Sequence, residues 1–186
     1  MKKSVFILAA TLFVNLALLL NAQSPIDKIY EKYSGQDGFT AVNFSKEMFQ
    51  MIQQMNIGDS SNKDIQNAKQ MVDQLSGLKV LMYTFDSTGV SKAVSIYNEL
   101  AGAFSSSSYK ELMTIQEGRQ YVRFLTKTAE NNKVSEFVML MKDKKEVGAI
   151  SITGMIDLAS ISNMSKFMNI KGMENLKKVK DEHMNK

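Results

Sequence analysis

The chain has 186 residues, with 23 basic and 19 acidic side chains, a net charge of +4, one histidine, fourteen methionines, and neither cysteine nor tryptophan. So small a positive excess does not argue for a nucleic-acid partner or an anionic membrane face. Without cysteine there is no disulfide, no thiolate metal site and no lipid-acceptor thiol, and a single histidine removes the usual zinc ligand sets.

The N-terminus reads as a secretory signal peptide over residues 1–22. Lys2 and Lys3 precede an apolar run from Ser4 to Leu20, and Leu20-Asn21-Ala22 ends it on a small residue suited to cleavage. An uncleaved anchor is the alternative, because the run approaches the length that spans a bilayer. The expectation is export across the inner membrane to the periplasm or beyond, not as a lipoprotein. No other stretch is long or apolar enough to span. Residues 23–168 are enough to bury a core without staples and are expected to form one domain. Residues 169–186 form a charged tail, helical or frayed.

Residues 26–33 read as a short amphipathic helix. "FTAVNF" (39–44) alternates and reads as a strand. Ser45 fits a helix N-cap with Glu47 in the first turn, followed by Met48, Phe49, Ile52 and Met55 on one face of a helix over 45–55. "GDSSNKD" (58–64) reads as a turn, with Ser61 and Asp64 resembling a capping box. A helix over 62–75 follows, with Ile65, Ala68, Val72 and Leu75 as its apolar stripe and Gly77 as its stop. "LKVLMYTF" (78–85) reads as a strand. Asp86 or Ser87 is expected to cap a helix over 88–104 that buries Val90, Ala93, Val94, Tyr97, Leu100, Ala101 and Phe104.

The second half reads as four strands, 109–115, 119–128, 134–142 and 147–155, joined by tight turns in a meander. A two-residue Asn131-Asn132 loop sets Lys127 opposite Glu136 and Phe124 opposite Met139. A two-residue Lys144-Lys145 loop sets Met139 opposite Ile150 and Phe137 opposite Ile152. Val122, Phe124, Phe137, Met139, Met141, Ile150 and Ile152 then share one face, expected to be the core. The other face is more mixed. Leu125, Val138, Leu140 and Ala149 on it are candidates for an interaction surface, if that face is not covered.

Asp157 joins the last strand to "LASISNMSKFM". An aspartate there accepts N–H bonds from the first turn of a helix over 158–168, with Ile156 and Ile161 as a hydrophobic staple. Capping accounts for Asp157 without chemistry. No catalytic residue is nominated. A Ser–His–Asp triad would need His183 of the tail, and no G-x-S-x-G, dinucleotide or Walker sequence occurs. Glu136 is the nearest candidate for carboxylate chemistry, and Lys127 opposite makes it an ordinary cross-strand pair. No metal and no cofactor are expected. The methionines read first as core filling, then as an adaptable apolar pocket, and last as a thioether copper site.

"GFTAVNFSKEMFQMI" (38–52), "LKVLMYTFD" (78–86) and "EFVMLMKDKKEVGAISITGMIDLASISNMSKF" (136–167) resemble the family called domain of unknown function 4252, DUF4252. The resemblance runs over about residues 27–168. It implies an envelope protein of Gram-negative bacteria and brings no catalytic residue with it. Members often carry a cysteine after the signal, and this chain departs from that pattern.

Together these readings predict an α+β domain: a mostly antiparallel sheet with a C-terminal four-stranded meander, and helices packed on one face. The function expected is an exported, non-catalytic envelope protein that binds a partner protein or a small apolar ligand. The alternatives are a periplasmic carrier of a lipid or amphiphile in a methionine-lined pocket and, behind it, a carboxylate-based hydrolase.

Overall fold

Antiparallel pairing joins every strand among the described residues into one sheet of six, in the order β1-β2-β6-β5-β4-β3. The computed structural model describes residues 24–54, 63–105, 107–129 and 133–157. In chain order these hold α1 (Pro25–Tyr33), β1 (Phe39–Phe44), α2 (Lys46–Gln54), α3 (Lys63–Asp73), β2 (Leu75–Thr84), α4 (Val90–Ala103), β3 (Tyr109–Glu117), β4 (Gln120–Thr128), β5 (Val134–Lys142) and β6 (Glu146–Ile156). The α+β class and the C-terminal meander are as the sequence leads one to expect. The signal peptide, the 61–64 capping box, the Asn131-Asn132 loop, the helix after Asp157 and the tail lie outside the described residues.

Turn chemistry sets the registers. Gly118 and Arg119 link β3 to β4, and Gly118 takes a φ of +58° that a side chain disfavours. Lys144 and Lys145 link β5 to β6, with Asp143 N–H donating to the Glu146 carbonyl at 2.7 Å. That turn sets Met139 opposite Ile150 and Phe137 opposite Ile152, and β4 meets β5 with Lys127 facing Glu136 and Phe124 facing Met139, all as expected. β2 inserts between β1 and β6, so both early strands join the same sheet. At Gly148 the backbones come close. A Cβ there would lie 2.2 Å from the Leu81 carbonyl oxygen, so only glycine fits.

Both faces of the sheet are cores. Val122, Phe124, Phe137, Met139, Ile152 and Ile156 bury on one, where Met71 of α3 packs against them. The Phe124 and Phe137 rings stack with centroids 5.9 Å apart. On the other face Leu81, Leu125, Val138, Leu140, Val147 and Ala149 bury under α1 and α4. This corrects two expectations. The helices do not share one face. Leu125, Val138, Leu140 and Ala149 are not an open interaction surface, since none is more than 2% exposed. The physical reason is α1. Its Ile26, Ile29 and Tyr33 form an apolar stripe that needs a sheet to cover it.

Two helix ends also differ from expectation. α3 stops at Asp73, and Gly77 lies inside β2 at a break in register. Before α4, Asp86 accepts from the N–H groups of Thr88 and Gly89 and from the Thr88 hydroxyl, so it builds the preceding turn, and Gly89 is the N-cap. α4 buries Ala93, Ile96, Leu100 and the following Phe104, which leaves Val90 and Val94 outside.

Candidate functional site

Regular pairing fails at one end of the sheet. The β2–β6 register shifts between Leu75 and Gly77, the β5–β6 register between Val134 and Glu136, the β4–β5 register between Lys127 and Thr128, and the β3–β4 register between Glu111 and Met113. Bulges of this kind bend a strand and re-aim its side chains. Here they gather around an open cleft of about 550 Å³ between this sheet end and the N-terminus of α1. Its wall is polar: Ser24, Asp27, Asn43, Lys79, Lys127, Ser135, Glu136, Ser151 and Thr153 all contribute.

Glu136 lies at the base of the cleft and is 3% exposed. Three hydroxyls donate to its carboxylate. Ser151 reaches Oε1 at 2.7 Å, Ser24 reaches the same oxygen at 2.5 Å, and Tyr109 reaches Oε2 at 2.6 Å. The residues come from four separate elements. Tyr109, Lys127, Glu136 and Thr153 lie in one row across β3, β4, β5 and β6, so the Tyr109 phenol spans over Lys127 to meet the carboxylate. Ser24 arrives with α1, which Pro25 starts by supplying a fixed φ where no N–H is needed.

The expected Lys127–Glu136 pair is therefore corrected. The register is as expected, yet among the described residues Lys127 forms no ion pair. Hydroxyls hold the carboxylate instead of an ammonium. Each such bond to a charged group is worth about 1.5–3 kcal/mol, which offsets the cost of taking the charge out of water. A carboxylate has about four acceptor positions, so three bonds leave it able to take one more donor. Above it, Asp27 pairs with Lys79 and also accepts from the Ser24 N–H at 3.1 Å. The cleft thus presents hydroxyls, an ammonium on Lys127 and a carboxylate with spare accepting capacity.

Burial and then the Glu136 bond push the Tyr109 phenol well above its usual range. A folded-state value above the unfolded one of about 10 means that the native state holds this proton more tightly. Its contribution to stability is complete below about pH 10 and is lost as the pH rises beyond it. Tyr109→Phe is expected to flatten the alkaline fall in stability, measured by denaturant titration at a series of pH values, and to cost about 1.5 kcal/mol at neutral pH. Tyr33 and Tyr97, also raised by burial, supply the remaining slope. An unchanged alkaline slope would refute the assignment.

Asp157 pairs with Gln74: its N–H donates to Gln74 Oε1 at 2.9 Å and its Oδ2 accepts from Gln74 Nε2 at 2.8 Å. It plays no part in the cleft, and the helix it was expected to cap lies outside the described residues. Sequence reasoning missed Ser24, Tyr109 and Ser151. One signal was available, because Ser151 and Thr153 fall on the same face as Glu136 in the expected register.

No described helix is long and apolar enough to cross a membrane, and no group of metal-ligating side chains occurs among the described residues. The family model described as "Domain of unknown function (DUF4252)" matches residues 32–164. No curated protein and no solved structure matches the chain.

Proposed function

This chain belongs to the DUF4252 family, and we propose that it is an exported binding module of the cell envelope that takes a small polar ligand in the cleft above Glu136. One observation carries the reading. A buried carboxylate held, among the described residues, by hydroxyls alone sits under an open polar cleft where four strand pairs break register. A packed apolar residue would stabilise that position at least as well, so the acid is better explained by recognition than by stability. The ligand offers a donor, hydroxyl or amine, to Glu136 and an acceptor to Lys127. A hydroxylated or zwitterionic small molecule meets both demands.

The reading is non-catalytic. Asp27 is engaged by Lys79 and Glu136 by three hydroxyls, which does not favour a pair of acids free to exchange protons with a substrate. Neither this cleft nor the one at the opposite sheet end has methionine in its wall, so a methionine-lined carrier pocket gains no support from them.

Native mass spectrometry of the protein taken gently from its own envelope fraction tests the proposal. The expected spectrum shows an added mass that denaturation removes, on a chain beginning at Gln23. Ser151→Ala should lower the occupied fraction. A chain with nothing bound, also after incubation with envelope extract, would refute ligand binding. A chain that retains residues 1–22 would refute cleavage at Ala22.

A further inference from the structure

The opposite end of the same helix–sheet layer holds a second groove, of about 560 Å³. At 3.3 Å per residue along β5, Lys142 at this end is about 20 Å from Glu136 at the other. The groove runs beside the first half of α4. Val90 and Val94 form its apolar side, and they are 48% and 40% exposed. Both belong to the apolar stripe that the α4 sequence predicts, yet no part of the sheet covers them. Its rim carries Arg119, Lys142 and Lys144, none of which forms an ion pair among the described residues. The one acid on the rim, Asp143, accepts from the Lys144 backbone N–H at 2.6 Å. The Tyr97 hydroxyl in the wall is buried and makes no well-formed hydrogen bond among the described residues; the Arg123 guanidinium, a donor only and bonded to Glu111, lies beside it, so the hydroxyl proton is free to donate. Lys142 Nζ stands 5.6 Å from the centre of the same ring.

These observations converge on one ligand chemistry. Unpaired cations beside an unused buried hydroxyl select an anion. Exposed valines in a concave wall select an alkyl chain. We propose that the groove binds a single-chain fatty acid. Its carboxylate sits between Lys142, Lys144 and Arg119 and accepts from the Tyr97 hydroxyl, and its tail lies along Val90 and Val94. A groove of this volume suits one small ligand and not a two-chain lipid. The site is independent of the polar cleft and stands whether or not that cleft is filled.

The test is an NMR titration of the isotopically labelled protein with dodecanoate below its micelle concentration. Dodecyltrimethylammonium, with the same tail and the opposite head charge, is the control. Dodecanoate is expected to give saturable shifts at Ala93, Val94 and Gly118, and the cationic amphiphile none there. K142Q/K144Q, with both changes at the sheet's rim, should bind dodecanoate about tenfold more weakly while its melting temperature falls by no more than about 4 °C, the cost of losing the Lys142 contact with the Tyr97 ring. Tyr97→Phe separates recognition from structure. It removes an unsatisfied buried hydroxyl, so the free protein should melt about 2–4 °C higher while its affinity falls. Equal shifts with both amphiphiles would overturn the proposal as non-specific adsorption. So would shifts confined to the polar cleft, no saturable binding, or unchanged affinity in K142Q/K144Q.

Discussion

Leu140→Asp is expected to abolish folding. Leu140 is fully buried on the sheet face beneath α1 and α4. An aspartate there would have to leave water with no cation to meet it, or take up a proton and still bury an unmatched carboxyl. Either cost, added to the lost apolar contact, exceeds about 5 kcal/mol, the low end of ordinary domain stability. Leu140→Ala provides the graded control, at about 3 kcal/mol. Circular dichroism and urea titration of the two variants check the prediction. A folded Leu140→Asp protein with near-normal stability would mean that this face is open and that Leu125, Val138, Leu140 and Ala149 form an exposed surface.

Which residues share a sheet face was legible in the sequence; which face is covered was not. The pairing of β5 with β6 followed from loop length, because a two-residue turn leaves one register and strand periodicity then assigns each side chain to a face; β4 meets β5 in the expected register by another route, since Thr128 faces Val134 and a bulge after Lys127 makes up the one-residue difference. Parity was therefore available without coordinates. Coverage was not. Both faces carry enough apolar residues to be buried, and deciding between one covered face and two requires knowing where each helix docks. α1 has nine residues and little weight as a sequence signal. Its three buried side chains nevertheless close the face that looked open. The α4 stripe failed for a related reason. Spacing places Val90 and Val94 beside Ala93 and Tyr97, but the sheet ends before it reaches them, so an apolar stripe longer than its partner surface runs on into a groove.

The site was less legible than the fold. Lys127 and Glu136 face each other as the register requires, and opposite charges so placed suggest a salt bridge. What redirects the carboxylate is local irregularity in four strand pairs, together with donors that come from Ser24 and Tyr109, far away in sequence. Loop length does not foretell a bulge, and charge pairing along two strands does not foretell a phenol reaching across from a third. Ser151 alone was within view. A hydroxyl on the same face as a buried acid is a weak signal, and here it marked the cluster.

Glu136→Ala is expected to cost about 3 kcal/mol, less than the sum of three charged hydrogen bonds because it also removes the burden of burying a charge. Ser24, Tyr109 and Ser151 would lose their common acceptor, and with it the tie that holds the start of α1 and the outer strand β3 to β5. Glu136→Gln should behave differently. Its amide oxygen can keep both serine bonds, and its amide nitrogen can donate to the Tyr109 oxygen once the phenol turns. The expected loss is about 1 kcal/mol, read by thermal and denaturant unfolding. The pair of variants separates two roles. If Glu136 serves recognition, Glu136→Gln leaves a folded protein that no longer carries the mass seen by native spectrometry, because the amide cannot replace a full charge toward a cationic or hydroxyl donor. If it serves only to pin α1 and β3, the bound mass persists in Glu136→Gln and falls in proportion to stability in Glu136→Ala. The first pattern supports a ligand-reading carboxylate, and the second would reduce the cluster to a structural tie.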